Sequence, residues 1–178
     1  MNAIKQLLQE HVEIMAQVAD LRAAARDLAT RGDAALSDAL PVLRRIGQMM
    51  ETQLALHAKK EDEALFPAIE AALGVDDSPT TAMRLEHQDI HAQGERLRQT
   101  LRELSEVQHP MLELSGARLC SLAANRGSAA SLCATAEEII YLLDAHFSKE
   151  EQMLFPMAEN LLDEETLNQI GARMEAMS

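Results

Sequence analysis

The chain has 178 residues, a formal charge of -13, a pI of about 4.8 and 47% hydrophobic residues. Such acidity repels nucleic-acid phosphates and anionic lipid, so neither is expected as a partner. No apolar run approaches the ~20 residues that span a bilayer, and MNAIKQLLQEHVEIM lacks the charged-apolar-small order of an export signal. The expectation is a soluble cytoplasmic protein forming a single domain over residues 1–178.

Aromatic residues make up 2% of the chain, while Ala, Leu, Met, Glu and Gln dominate. These are helix formers, with little β-branched or aromatic material for strands, so the class predicted is all-α. Cys120 and Cys133 form neither a CxxC motif nor a staple framework and read as reduced thiols.

In chain order, Ile4, Leu7, His11, Ile14, Val18, Leu21, Ala25 and Leu28 recur at three- and four-residue steps, the stripe of an amphipathic helix that Gly32 should stop. A second helix begins near Asp33 or Ser37, with Pro41 tolerated only close to its first turn. It faces Leu43, Ile46, Met50, Leu54, His57 and Glu61 inward until Phe66-Pro67 bends or breaks it. Gly74 to Ser78 forms a turn, with Ser78 capping a third helix that starts at Pro79. That helix carries Met83, His87, Ile90, His91, Gly94, Leu97, Leu101 and Leu104 on its inner side and ends by His109-Pro110. Residues 108–131 are a connection in which MLELSGARLCSLA forms a short helix. The fourth helix starts between Ser128 and Ser131 and turns Leu132, Ile139, Leu142, Leu143, His146, Glu150 and Met153 inward until Pro156 interrupts it. DEETLNQIGARMEAM, about 163–177, is a short extra C-terminal helix with an acidic first turn. Mostly short connections predict an up-down-up-down four-helix bundle over about residues 1–160.

Two stretches match one another. His57 to Pro67 reads HAKKEDEALFP and His146 to Pro156 reads HFSKEEQMLFP. Each has lysine at +3, glutamate at +4 and Leu-Phe-Pro at +8 to +10. Upstream, Glu10-His11 opens EHVEIM and Glu86-His87 opens EHQDIH, so the chain reads as an internal duplication with extra residues in its second half. An i, i+4 pair shares a helix face, which sets His57 with Glu61 and His146 with Glu150.

A lone histidine on an apolar stripe is ordinarily a hydrogen-bonded core residue. Five on inner faces with two glutamates are different, because burying them uncompensated costs several kcal/mol per charged group. Metal is the natural compensation. Imidazole with carboxylate and no thiolate suits iron, manganese or zinc. One structural zinc takes four ligands and would leave the rest unexplained. Two ions fit better: with both carboxylates and one oxygen atom bridging, a single position of two octahedra stays open. A ferritin-like centre needs Glu-x-x-His on two helices, and Glu106-Val-Gln-His109 offers it once, beside a proline.

The doubled motif, with EH at 10–11 and EHQDIH at 86–91, resembles the hemerythrin-like, HHE-type cation-binding proteins over roughly residues 1–160. The resemblance implies a four-helix bundle holding two non-haem iron ions joined by an oxo or hydroxo bridge. One iron would be bound by His87, His91 and His146, the other by His11 and His57, with Glu61 and Glu150 bridging, and the second iron would meet O2. The chain departs from the family's oxygen carriers in having Glu150 at +4 rather than an aspartate at +5. It also has few aromatic residues, namely Phe66, Phe147, Phe155 and Tyr141. The function implied is binding of O2 or a related small ligand, NO or peroxide, for sensing, scavenging or delivery. The alternative is a di-iron enzyme or repair factor that decomposes peroxide or NO, or repairs iron-sulfur clusters. A third possibility is a metal-stiffened module acting through a protein partner that the residues do not identify.

The remaining polar residues read more plainly. Adjacent helical residues point about 100° apart, so Glu10 and Glu86 are expected in solvent rather than behind the histidines. Lys60 and Lys149 are expected on a solvated face, the ten methionines in the core, Tyr141 away from the site and His109 in a loop.

Overall fold

The computed structural model describes residues 2–74, 79–108 and 129–177. Among the described residues every regular element is helical, as the composition predicts. Four long helical runs form, consistent with a helical bundle, followed by one short helix. The first run is α1 (Ala3–Arg31). A 3-10 turn at Gly32–Ala35 leads into α2 (Leu36–Met49), which continues through α3 (Ala55–Lys60) to α4 (Phe66–Leu73). The third is α5 (Pro79–Gln108), and the fourth joins α6 (Ala129–Lys149) to α7 (Phe155–Leu161). The short helix is α8 (Glu164–Glu175). No helix among the described residues is long and apolar enough to cross a membrane.

Gly32 ends α1 in the left-handed region at φ 59°, where a side chain would be strained. Gly74 closes α4 in the same way at φ 64°. The proposed cap Ser78 and the proposed short helix at 111–123 lie outside the described residues, as do Cys120 and His109. Pro41 lies inside α2 rather than in its first turn. Its ring is exposed, and so is Ser37, whose carbonyl loses a partner, so water can replace the missing donor.

The prolines of the twin motifs do not break their helices. Each is preceded by a π turn, Glu61–Leu65 and Glu150–Leu154, and a third π turn covers Met50–Leu54. Phe66 N–H reaches back five residues to Glu61 O, and Phe155 N–H to Glu150 O. The wider turn inserts one residue, so Pro67 and Pro156 fall at the start of the following helix, where a missing N–H is tolerated. The insertion also shifts the phase of everything after it. Met153, expected inward, is 61% exposed, and Leu154 takes the buried position.

The described residues divide into two compact units. One comprises Met1–Ala16, Met49–His91 and Leu142–Ser178. Its core joins Ile4 and Leu7 of α1, Leu65, Phe66 and Ile69, Met83 of α5, Leu154, Phe155 and Ala158. The α8 residues Leu167, Ile170 and Met174 complete it, so the C-terminal helix is built into this unit. Asp163 caps α8 by accepting from Thr166 N–H at 2.8 Å. The other unit comprises Gln17–Gln48 and Ala92–Tyr141. It buries Val18, Leu21, Leu28, Leu43, Ile46, Leu97, Leu101, Leu132 and Ile139, and Arg98 donates to Gly47 O at 3.1 Å.

The phase shift is checked by two truncations. Leu154→Ala should cost about 2–5 kcal/mol in chemical denaturation, whereas Met153→Ala should stay within about 0.5 kcal/mol. The reverse ranking would mean the helix runs on without the inserted residue.

Candidate metal centre

Six of the seven residues singled out in the sequence meet inside the first unit. His11 comes from α1, His57 from α3, His87 from α5 and His146 from α6, while Glu61 and Glu150 each open a π turn. All six are buried, and the two glutamates are 0% exposed. Their nitrogen and oxygen atoms form two groups: Glu61, His87, His146 and Glu150, and His11, His57 and Glu150. Within each group the atoms lie within 4.8 Å of one another.

Both carboxylates reach across the groups. Glu150 Oε2 is 3.0 Å from His11 Nε2, and its Oε1 is 2.9 Å from His146 Nε2. Glu61 Oε2 stands 3.3 Å from His87 Nε2 and 3.6 Å from His57 Nε2.

His91 does not join them. It is exposed and belongs to neither group, although the resemblance implies that it shares an ion with His87 and His146. Helix geometry supplies the reason. The buried α5 positions Met83, Ile90, Gly94, Leu97 and Leu101 centre about 40° to one side of His87, while His91 lies about 40° to the other. The same count was available in the sequence.

Every one of the four histidines is held from behind by a carboxylate. His57 Nδ1–H donates to Glu10 Oε2 at 3.0 Å, and His146 Nδ1–H to Glu86 Oε2 at 3.0 Å. Glu10 and Glu86 are therefore not the solvated residues expected. They turn away from the adjacent histidine and serve the one on the neighbouring helix. Lys60 Nζ donates to Glu10 at 2.6 Å and Lys149 Nζ to Glu86, and Lys60 is only 4% exposed rather than solvated. The remaining pair crosses between the halves of the duplication: His11 Nδ1–H donates to Glu151 at 2.8 Å and His87 Nδ1–H to Asp62 at 3.1 Å. Sequence reasoning missed Asp62 and Glu151. The signal was an acid at +5 in both copies of the motif.

These contacts decide the tautomers. Glu10 and Glu86 are buried in part, yet the lysines and histidines bonded to them hold both carboxyls below the usual range. A carboxylate accepts, so the Nδ1 of His57 and of His146 carries a proton, and each imidazole in its neutral form then turns the Nε2 lone pair to the centre. His11 Nε2 and His57 Nε2 face one another at 3.1 Å, an arrangement that repels unless a cation lies among the donors. All four carboxylate oxygens of Glu61 and Glu150, together with His87 Nε2, are buried without a hydrogen bond. Buried polar atoms are almost always satisfied, so these orphans fit metal ions, and the donor set of imidazole and carboxylate is one that binds them. The chain's three phenylalanines line the site: Phe147 stacks on His11 at 3.9 Å, Phe66 on His87 at 5.8 Å and Phe155 on His11 at 5.4 Å.

The family model described as hemerythrin HHE cation-binding domain matches residues 2–158. The chain belongs to that family. Among curated proteins no significant match is found. Membership in the hemerythrin HHE family accounts for the histidine-glutamate cluster as a cation site. Cys133 contributes nothing to it, being a free thiol of the second unit that bonds Ala25 O at 3.4 Å.

Without metal, this HHE site is a cluster of charges that compensate one another. Burial alone would depress His57, but Glu61, Glu10 and Glu150 push it up to about 10. Burial likewise opposes His87, which Asp62 and Glu61 push up to about 9. Glu61 is raised by burial and by the neighbouring charge of Glu150. Glu150 goes the other way: burial raises it, but the imidazoles of His11, His146 and His57 beside it hold it well below the ordinary range.

The sign of the pH dependence follows. Histidines raised in the folded state stabilise it fully below their ordinary value of 6.5, and that contribution is lost as pH climbs towards 9 and 10. Glu150, Glu10 and Glu86, depressed from 4.5, lose theirs only as pH falls below that value. In chelator, the melting temperature should therefore peak between pH 4.5 and 6.5 and fall steadily to pH 10. A melting temperature that rises from pH 7 to pH 9.5 contradicts this account.

Proposed function

We propose that this hemerythrin HHE protein is a single-domain, up-down-up-down bundle that holds two non-haem iron ions in the cytoplasm. It binds O2 or a related small ligand, NO or peroxide, for sensing, scavenging or delivery. The observation that carries the reading is the pair of donor groups sharing Glu150, with four buried carboxylate oxygens left unbonded. His87, His146 and Glu61 would hold one ion and His11 and His57 the other, with Glu150 within reach of both groups. When bound, the irons supply reversible electron transfer and an open position for a small ligand.

The chain's own residues do the rest. Glu10, Asp62, Glu86 and Glu151 fix each imidazole with its Nε2 inward, which raises its basicity towards a cation. Phe147, Phe66 and Phe155 cover the histidines with apolar surface and keep bulk water from the site.

A second reading gains from the position of His91. With four inward histidines in place of five, two ions held here would have fewer protein ligands and more room for a reacting molecule. That favours turnover of peroxide or NO over storage of one molecule.

Anaerobic loading with ferrous iron should give two ions per chain by metal analysis. His91→Ala should leave that number unchanged, while Glu150→Ala should bring it to one or fewer. Oxygenation should raise a charge-transfer absorption that disappears on deoxygenation. Steady consumption of many equivalents of peroxide or NO would establish the enzymatic reading instead, and uptake of a single ion would end both.

A further inference from the structure

The geometry points to Arg84 as a positioning residue that stiffens His87, so that the metal position of His87 and His146 is tighter than that of His11 and His57. The inference rests on the two-ion reading above and adds an order to it.

Arg84 lies on α5, one turn before His87. Its Nη1 donates to Asp62 O at 2.9 Å and to Asp62 Oδ1 at 3.3 Å. Nη2 donates to Glu70 Oε1 at 3.0 Å, an oxygen that also accepts from the buried Thr80 hydroxyl at 2.5 Å. The guanidinium lies over Phe66, 5.2 Å from the ring centroid. Glu70 fixes the guanidinium, and the contacts to Asp62 and Phe66 end on groups that hold His87. Asp62 Oδ1 accepts from His87 Nδ1–H, and Phe66 stacks on the imidazole with an interplanar angle of 8°.

The bond to Asp62 O answers a specific deficit. In an α-helix that carbonyl would accept from Phe66 N–H, but the π turn sends this donor to Glu61 O. In a π turn it would accept from residue 67, which is proline and has no N–H. Arg84 supplies the donor that both geometries withhold. It thereby ties down the turn from which Glu61 and Asp62 project.

The other half has no such tie. Glu10 matches Glu86 in the duplication, so Leu8 stands where Arg84 does. Glu151, which holds His11 as Asp62 holds His87, is 47% exposed, and among the described residues no arginine or lysine pairs with it. The fork of Arg84 is rigid and its charge-assisted bonds are among the strong ones. One imidazole is thus clamped through a carboxylate that an arginine holds, and the matching one through a half-exposed carboxylate with no such hold among the described residues.

The test is titration of metal-free protein with Co(II), read by calorimetry, by d–d absorption and by the paramagnetically shifted Nδ1–H resonances. The wild type should take up two ions in two steps. Arg84→Gln should weaken the tighter step by about tenfold and the weaker step by less than about twofold. The Nδ1–H resonance of His87 should broaden by exchange with water while the other three persist. Asp62→Asn should have the same effect, and the double variant should be no worse than Asp62→Asn alone, because Arg84 acts through that carboxylate. Arg84→Lys keeps the charge but not the fork and should fall between. Should Arg84→Gln fail to fold, Arg84→Lys and Asp62→Asn carry the comparison. Two ions bound with both steps unchanged, or both weakened alike, would overturn the role of Arg84 and leave the two-ion reading standing. Uptake of fewer than two ions by the wild type would overturn both.

Discussion

Two carboxyl side chains buried out of reach of solvent are the constraint around which this protein is built. Glu61 and Glu150 are fully enclosed, and an uncompensated carboxylate there would cost several kcal/mol. The chain surrounds them with four imidazoles, and surrounds the imidazoles in turn with four more acids and two lysines. Charge alternates outward in layers: acid, base, acid, base. Each layer exists because the one inside it needs neutralising or orienting. The outermost pairs Lys60 with Glu10 and Lys149 with Glu86, the first lysine buried and the second half-exposed.

The backbone bends its own rules at the same place. Two of the three π turns begin at the central glutamates themselves. A π turn is less favourable than an α turn and persists where function or packing requires it. Here the inserted residue accommodates the following proline and lets the Leu-Phe pair of each motif point into the core beneath the histidines. The apolar cluster of Leu65, Phe66, Leu154 and Phe155, closed by α8, is the floor on which the charged layers rest.

Much of this was legible from residue spacing. The all-α class, the end of α1 at Gly32, the start of α5 at Pro79 and the convergence of six histidines and glutamates all follow from composition, punctuation and the i, i+4 rule. What escaped has physical reasons. The π turns defeated a strict 3.6 count, which sent Met153 inward in place of Leu154 and made the prolines look like breaks. His91 was placed on the inner side of its helix and given a ligand's role by the resemblance, though the hydrophobic stripe of α5 runs to the other side of His87. Glu10, Glu86, Asp62 and Glu151 were beyond a reading confined to one helix, because each serves a histidine on another helix.

The crossing of two of those bonds has an evolutionary consequence. Asp62 belongs to the first repeat and steadies a histidine of the second, while Glu151 of the second repeat steadies one of the first. A primordial chain of one repeat would have possessed the acid and the imidazole but no way to join them within itself. It could assemble the complete arrangement only as a symmetric pair of identical copies. Carrying both copies in one chain joins them permanently and lets them differ, as Leu8 and Arg84 do.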